Sequence, residues 1–129
     1  MIILVAYILK DISTLRLDGG ATKPFELTIR KVKIAHKLAM QRGKKIAGLI
    51  LCNPNNPLGT IYSKELLMDI LIFAKEEGLH VILDEVYALS LHEDVPFHSV
   101  ASLNNLPSPM TTHFLWSCSK DLALAGKLI

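Results

Sequence analysis

The sequence predicts an α/β fold in which a mainly parallel sheet is flanked by helices. Apolar segments of strand length alternate with segments of helical periodicity along most of the 129 residues. Polar or turn-forming residues directly follow the main apolar segments. This alternation is typical of right-handed βαβ units, whose strands run parallel. Polar groups that follow the strands are therefore expected at one edge of the sheet, where open α/β sheets bind their ligands.

The N-terminal segment 1–9 is strongly apolar. We expect either a buried strand or a start that loss of an upstream segment has exposed. The segment is too short to cross a bilayer, which takes about 20 residues, and it lacks the flanks of a signal peptide. No membrane partner is expected. A short strand at 15–17 and a turn at 18–20 follow it.

Two helices are predicted from periodic apolar residues and their caps. The first runs from 28 to 42, with Thr28 as N-cap and Gly43 as its stop. The second begins at the capping residue Ser63 and ends at Glu77, before a glycine. The inner faces are expected to carry Ile29, Val32, Ala35, Leu38 and Ala39 in the first helix, and Leu66, Leu67, Ile70, Leu71 and Ala74 in the second.

Three further apolar segments predict strands at 46–52, 79–83 and 112–117. The first is apolar throughout, as expected for a parallel strand that is covered on both faces. The third follows a loop that contains Pro107 and Pro109. Together with the two helices, these strands complete the predicted βαβ alternation.

Composition limits the partners and the compartment. Half of the residues are hydrophobic and a fifth are charged, which is typical of one globular domain. A net charge of +2, without a basic run that contains aromatic residues, argues against a nucleic-acid partner. Cys52 and Cys118 each lie in an apolar run and are expected to be reduced, buried thiols. A cytoplasmic location is therefore predicted.

Asp84 and Glu85 directly follow the second predicted strand of this series. A carboxylate in this position could bind magnesium in a nucleotide hydrolase, but that function requires a phosphate-binding loop. The nearest match, 43–45, lacks both the first glycine and the Ser or Thr of that loop. A carboxylate that merely ends a strand remains the ordinary alternative.

Segment 53–59 contains two Asn-Pro pairs, three residues apart, between a buried strand and a capped helix. Taken alone, these residues would only mark a turn. Their position predicts a rigid loop that directs the side-chain amide of Asn56 at a ligand.

Lys120 follows an apolar strand that contains the single tryptophan of the chain. Most lysines are solvated surface residues. Here the hydroxyls of Ser117 and Ser119 flank the amine, and serines at a strand end suit the binding of a phosphate. We expect a partly dry site, which favours the neutral amine that forms imines.

The histidines do not predict a metal site. No two of them are spaced by four residues, and no cysteine is suitably placed beside them. They are His36, His80, His92, His98 and His113.

Four segments carry a resemblance to a known family. They are NPNNPLGTIYS, FAKEEGLHVILDEVYALS, FHSVASLNNLP and SCSKDLALAG, in that order. The chain resembles class I and II aminotransferases, which are fold-type-I enzymes that use pyridoxal phosphate. Within them it is most similar to the 1-aminocyclopropane-1-carboxylate (ACC) synthase branch, including its animal ACC synthase-like members. The resemblance extends over about residues 24–126.

The resemblance implies a role for each of these side chains. Lys120 would bind pyridoxal phosphate as a Schiff base and move the proton at the substrate Cα. Asp84 would pair with the pyridinium nitrogen and keep it protonated. Asn56 and Tyr87 would donate hydrogen bonds to the phenolate oxygen of the cofactor.

Ser117, and with it Ser119, would contact the cofactor phosphate. The chain also departs from the family pattern. Where the family places a phosphate-binding arginine eight residues after the lysine, this chain has Leu128, preceded by Lys127. The glycine expected three residues after the lysine is Ala123.

Residues 1–129 are accordingly interpreted as part of the large, cofactor-binding domain. The N-terminal part of that domain and the C-terminal small domain would be absent. The resemblance implies an amino-acid substrate or S-adenosylmethionine, and full-length members that are homodimers. It leaves open transamination and γ-elimination. The alternative is a catalytically inactive fragment or pseudo-enzyme that associates with a homologue, because catalytic groups that act as a unit lose most activity when some are removed.

Overall fold

The computed structural model describes residues 2–3, 25–91 and 94–124 of the chain. Within these residues, four parallel strands form one sheet in the order β1-β2-β3-β4. The strands are β1 (Ile2–Ile3), β2 (Ile46–Cys52), β3 (His80–Asp84) and β4 (Thr112–Leu115). The predicted parallel α/β fold is confirmed. Strand β3 lies one residue further along the chain than expected, and β4 ends before the expected residue 117.

Three α-helices and two 3-10 turns connect and follow the strands. The helices are α1 (Ile29–Gln41), α2 (Lys64–Glu76) and the short α3 (Cys118–Asp121), and the 3-10 turns are Val100–Ser102 and Pro109–Thr111. The predicted strand at 15–17, the turn at 18–20 and most of segment 1–9 lie outside the described residues. In the part that is described, none of the helices has the length and apolar character needed to cross a bilayer.

The predicted helix caps are confirmed. The Thr28 hydroxyl accepts a hydrogen bond from the amide three residues on at 3.3 Å, and the Ser63 hydroxyl does the same at 3.2 Å. Both satisfy amides that have no partner within the helix. Gly43 and Gly78 follow the helices with φ of +69° and +67°, a conformation that favours glycine.

Helices α1 and α2 contact each other and pack against β2 and β3. The core between them contains mostly the predicted apolar residues: Val32, Ala35, Ala39, Leu49, Leu51, Leu67, Ile70, Leu71, Ala74, Val81 and Leu83. Ile29, Leu38 and Leu66, which were expected on the inner faces, are only half-buried. Phe73 is buried although it was not among them.

Lys31 is the main departure within α1. Its charged side chain is buried, with 4% of its surface exposed. Its Nζ donates a hydrogen bond to the backbone carbonyl of Glu26 at 2.7 Å, which compensates for the removal of the charge from water. The long aliphatic part of a lysine can cover apolar surface in this way.

Gly48 allows β2 and β3 to approach each other closely. A Cβ at this position would lie 2.6 Å from the backbone carbonyl oxygen of His80, which is closer than van der Waals contact permits. Since the obstructing atom belongs to the backbone of β3, it cannot move without disturbing the sheet.

Both cysteines are free, as expected, but the prediction that both are buried was wrong. Cys52 is half-buried and Cys118 is exposed. Cys118 begins α3, directly after β4, which is the last strand of the described sheet. A position at the margin of the sheet leaves its side chain uncovered even though the surrounding sequence is apolar.

Candidate functional site

The carboxyl ends of β2, β3 and β4 lie side by side. In the register, Cys52 pairs with Asp84, and Asp84 pairs with Leu115. The hydrogen-bond ladder extends one residue further, because the Asn53 amide donates to the Asp84 carbonyl at 2.9 Å and the Glu85 amide donates to the Leu115 carbonyl at 2.8 Å. The three loops that carry the predicted site residues therefore leave the sheet at one edge.

Asn56 and Tyr87, which were predicted to hold one ligand oxygen, lie in contact. The Asn56 Nδ2 donates a hydrogen bond to the Tyr87 phenol oxygen at 3.0 Å, although 31 residues separate them in sequence. Because the phenol oxygen accepts this bond, the phenol proton remains available to another acceptor. Asn56 is exposed and Tyr87 is half-buried, so a ligand at this edge can reach both.

The loop around Asn56 is held from below by two buried asparagines. The Asn53 Oδ1 accepts from the Tyr62 amide at 3.0 Å, and the Asn55 Nδ2 donates to the Tyr62 phenol at 3.3 Å. Both Asn-Pro peptide bonds in this loop are cis. Burial raises the pKa of Tyr62, so its phenol stays protonated near neutral pH. Sequence reasoning did not assign this support to Asn53 and Asn55.

Asp84 lies at the end of β3 and is half-buried. Its Oδ1 accepts a hydrogen bond from the Val86 amide at 3.3 Å, which orients the carboxylate. Burial raises the pKa of the adjacent Cys52 thiol, and the negative charge of Asp84 raises it further. Cys52 is therefore a protonated thiol near neutral pH, and its Sγ donates to the Pro54 carbonyl at 3.2 Å.

Lys120 lies in α3, the short helix after β4, the strand next to that of Asp84. Its side chain is exposed, so the expected partly dry setting is not found in the described chain. Ser117 and Ser119 are both half-buried at the start of the same helix. Ser117 precedes the helix but makes no capping hydrogen bond with its hydroxyl, which is thus available to a ligand.

Asp121 joins this helix to the turn after Tyr87. Its Oδ2 accepts hydrogen bonds from the Leu89 amide at 3.0 Å and from the Trp116 indole at 2.8 Å, and its Oδ1 accepts from the Ser90 hydroxyl at 2.6 Å. Partial burial acts to raise the pKa of Asp121, but these three hydrogen bonds outweigh it and lower the pKa below its ordinary value. Sequence analysis assigned no role to this residue.

Glu85 is fully buried beneath the site. Its Oε1 accepts a hydrogen bond from the Val100 amide at 2.7 Å, and its Oε2 has no partner among the described residues. Burial raises the pKa of Glu85, and the nearby Ser99 hydroxyl and the Val100 amide only partly oppose the shift. The residue thus ties the end of β3 to the first 3-10 turn.

A pocket of about 430 Å³ opens beside the Asn56–Tyr87 pair. It lies between the Asn-Pro loop and the loop that follows β3. Its walls are mostly apolar, with Pro54, Pro57, Ile61, Leu91 and Val95 among the lining residues. An apolar wall with a few polar groups at one end is typical of small-molecule sites.

Two histidines that sequence reasoning treated as scattered lie in contact. The His80 Nδ1 and the His113 Nε2 are 2.9 Å apart, on the neighbouring strands β3 and β4. In the register His113 pairs with Ile82, and His80 lies two residues before Ile82 on the same face of the sheet. Among the described residues, no group of three or more His, Cys, Asp or Glu side chains could hold a metal ion.

The family described as "Aminotransferase class I and II" matches residues 12–128 of the chain. Human 1-aminocyclopropane-1-carboxylate synthase-like protein 1 is 47% identical over 123 residues, which are 95% of this chain and 24% of that protein. The human "probable inactive" ACC synthase-like protein 2 is 49% identical over 106 residues, or 81% of this chain and 19% of that protein.

The solved structures give the same family. An aromatic aminotransferase from Pyrococcus horikoshii superposes with a TM-score of 0.64 and is 32% identical, over 79% of this chain and 25% of that one. The chain thus spans about a quarter, or less, of the length of the relatives that it matches.

Proposed function

The chain belongs to the class I and II aminotransferase family, and on that basis we propose that it binds pyridoxal phosphate covalently through Lys120. In this proposal the chain is part of a large, cofactor-binding domain. The complete protein would act at the Cα of an amino acid, as an aminotransferase or an ACC synthase-like enzyme. The observation that carries the proposal is the 3.0 Å hydrogen bond between Asn56 and Tyr87.

The chemistry of this pair suits the phenolate oxygen of the cofactor. Asn56 uses one amide proton on the Tyr87 oxygen and has a second to donate. Tyr87 has its own phenol proton to donate. Two neutral donors side by side would stabilise a negative oxygen between them, since hydrogen bonds to a charged group are the stronger ones.

Asp84 would hold the pyridine nitrogen in its protonated form. Its Oδ1 is oriented by the Val86 amide at 3.3 Å, which leaves Oδ2 for the ring nitrogen. When bound, the cofactor supplies an electron sink for the charge left at Cα. Asp84 keeps that sink effective by placing a fixed negative charge beside the protonated nitrogen.

Lys120 and the serines would act at the other end of the ring. The exposed amine of Lys120 would bind the cofactor carbonyl, and after substrate binding it would carry the proton from Cα. The Ser117 hydroxyl, which makes no capping hydrogen bond, would bind the phosphate. Ser119, two residues further along the chain, would contact it as well. The arginine that binds the same phosphate elsewhere in the family is replaced by Leu128.

A second candidate function is association without catalysis. Two observations favour it. The chain is 49% identical to a human relative whose name calls it probably inactive, and it lacks the phosphate-binding arginine at residue 128. In this alternative the chain would keep its fold and pair with a homologue of the family, whose complete members are proposed to be homodimers.

A spectroscopic titration separates the two candidates. The purified chain is mixed with pyridoxal phosphate, and the protein-bound absorption band is recorded before and after borohydride, with Lys120→Arg as the control. An amino acid and a keto acid are added to a separate sample that has not been reduced. A band that Lys120→Arg abolishes, followed by turnover, indicates a working enzyme. A band without turnover shows that this chain binds the cofactor but does not catalyse the reaction by itself, and no band contradicts cofactor binding.

A further inference from the structure

Three segments of the proposed site converge on one carboxylate. Asp121 accepts hydrogen bonds from Trp116, at the end of β4, and from Leu89 and Ser90, in the turn after Tyr87. The distances are 2.8, 3.0 and 2.6 Å. The bonds to Leu89 and Ser90 span 32 and 31 residues of sequence, so they are tertiary contacts and not part of a local cap.

The turn that these bonds hold is the one that carries Tyr87. Within it, the Ala88 amide donates to the Glu85 carbonyl at 2.9 Å, and the Ser90 amide donates to the Tyr87 carbonyl at 3.0 Å. The turn is therefore internally fixed from residue 85 to residue 90. A contact that fixes residues 89 and 90 therefore also fixes the position of the Tyr87 side chain.

The opposite side of the contact is α3, which carries Lys120. Asp121 is the last residue of this helix, which has only four residues. So short a helix has little stability of its own and depends on tertiary contacts. The bond from the Trp116 indole fixes the helix to the end of β4, and the bonds from the turn fix it to β3.

We propose that Asp121 is a positioning residue, which sets the Lys120 amine against the Asn56–Tyr87 pair by fixing α3 to the turn after Tyr87. This inference deepens the proposed function and rests on it. Asp121 does not touch the cofactor or the substrate in this role. By holding the lysine amine close to the cofactor carbonyl, it would speed the formation of the imine. Small displacements of reacting groups lower reaction rates by large factors.

A carboxylate suits this role, and an asparagine can largely replace it. The amide oxygen of Asn can accept from Leu89 and Trp116, and its amino group can donate to the Ser90 hydroxyl, which is also an acceptor. Alanine can do neither. A role in positioning therefore predicts that Asp121→Asn retains most of the function that Asp121→Ala loses.

The test uses the full chain, pyridoxal phosphate and borohydride, at a temperature where circular dichroism shows every variant to be folded. The quantity measured is the rate at which label becomes fixed at Lys120. We expect Asp121→Ala to react about tenfold more slowly than the wild type and Asp121→Asn to recover most of the rate. Asp69→Ala, an exposed aspartate of α2, is the matched control and should react at the wild-type rate.

The single tryptophan supplies a second readout that needs no cofactor. Trp116 is the only tryptophan in the chain, so intrinsic fluorescence reports directly on its bond to Asp121. The wavelength of maximum emission should shift in Asp121→Ala and stay close to the wild-type value in Asp121→Asn. Should Asp121→Ala fail to fold, Ser90→Ala removes one of the three bonds from an exposed side chain and is expected to slow the labelling by a smaller factor.

The outcomes separate the two proposals. If the wild type becomes labelled at Lys120 and Asp121→Ala does so at the same rate, Asp121 has no positioning role, while cofactor binding stands. If the Asn variant is as slow as the Ala variant, positioning through hydrogen bonds is also wrong. If the wild type is not labelled at all, the proposed function fails and this inference fails with it.

Discussion

The side chains of Asn56 and Tyr87 meet at 3.0 Å, and each residue lies in the loop that follows a different strand. The contact depends on the parallel register of β2 and β3, which sets Cys52 beside Asp84. An amide and a phenol so arranged form a pair of donors for one oxygen.

Tyr87→Phe removes the phenol and leaves the ring. We expect pyridoxal phosphate to bind roughly ten- to a hundredfold more weakly, because one hydrogen bond to a charged oxygen, of about 1.5–3 kcal/mol, is lost. Titration of the bound absorption band measures the affinity. Tyr62→Phe is the matched control, since its phenol contacts Asn55 and not Asn56. Because the Asn55 bond supports the loop of Asn56, this variant should lower stability and weaken cofactor binding by less than Tyr87→Phe does.

Asp84→Asn replaces a charged partner of the ring nitrogen with a neutral one. A hydrogen bond to a charged group contributes about 1.5–3 kcal/mol, so the cofactor should bind roughly ten- to a hundredfold more weakly. Asp69→Asn changes an exposed aspartate of α2 in the same way and should leave the affinity for the cofactor unchanged. Equal affinities of wild type and Asp84→Asn would show that the carboxylate does not contact the ring nitrogen.

Glu85 gives a prediction about pH. Burial raises its pKa in the folded state, so the folded chain keeps this proton to a higher pH than the unfolded chain does. The stability that it contributes is complete below the unfolded-state pKa and is lost as the pH rises through the folded-state pKa. Glu85→Gln removes the titration, and Gln can still accept from the Val100 amide.

Urea unfolding between about pH 4 and pH 8 tests this, because the ordinary pKa of Glu is about 4.3. The difference in unfolding free energy between Glu85→Gln and the wild type should move in favour of the variant as the pH rises. A difference that stays constant across this range would contradict a protonated Glu85.

Gly48→Ala tests the close approach of β2 and β3. The added Cβ would lie 2.6 Å from the His80 carbonyl oxygen. We expect a loss of about 1–3 kcal/mol in unfolding free energy, as for other overpacked sites. Gly43→Asn is the control, because a Cβ there meets nothing within 4 Å and Asn tolerates the positive φ. Equal stability of Gly48→Ala and wild type would contradict the strand spacing.

The sequence was sufficient for the two long helices, their caps and the approximate positions of β2, β3 and β4. Helix caps at Thr28 and Ser63 are local, since each hydroxyl bonds an amide three residues away. The family resemblance assigned Asn56 and Tyr87 to one oxygen, and the alternation of strands and helices predicted that their loops share one edge of the sheet. The caps and the placement of these loops depend on periodicity or on short, ordered motifs, and both can be read from the sequence alone.

Other contacts could not be found in this way. The bonds of Asp121 to Leu89 and Ser90 depend on how a short helix packs against a turn more than 30 residues earlier. The burial of Lys31 depends on a single backbone carbonyl within reach of its amine. The exposure of Lys120 depends on which chain segments cover the end of the sheet. None of these follows from composition or spacing.

The most direct test of the account is to map the site of reductive labelling. The chain is incubated with pyridoxal phosphate, reduced with borohydride, digested, and analysed by mass spectrometry to locate the modified lysine. We predict that the label lies on Lys120 at low cofactor concentration and that Tyr87→Phe and Asp84→Asn reduce it. Label spread evenly over the exposed lysines, and unchanged in both variants, would contradict a cofactor site at this edge of the sheet.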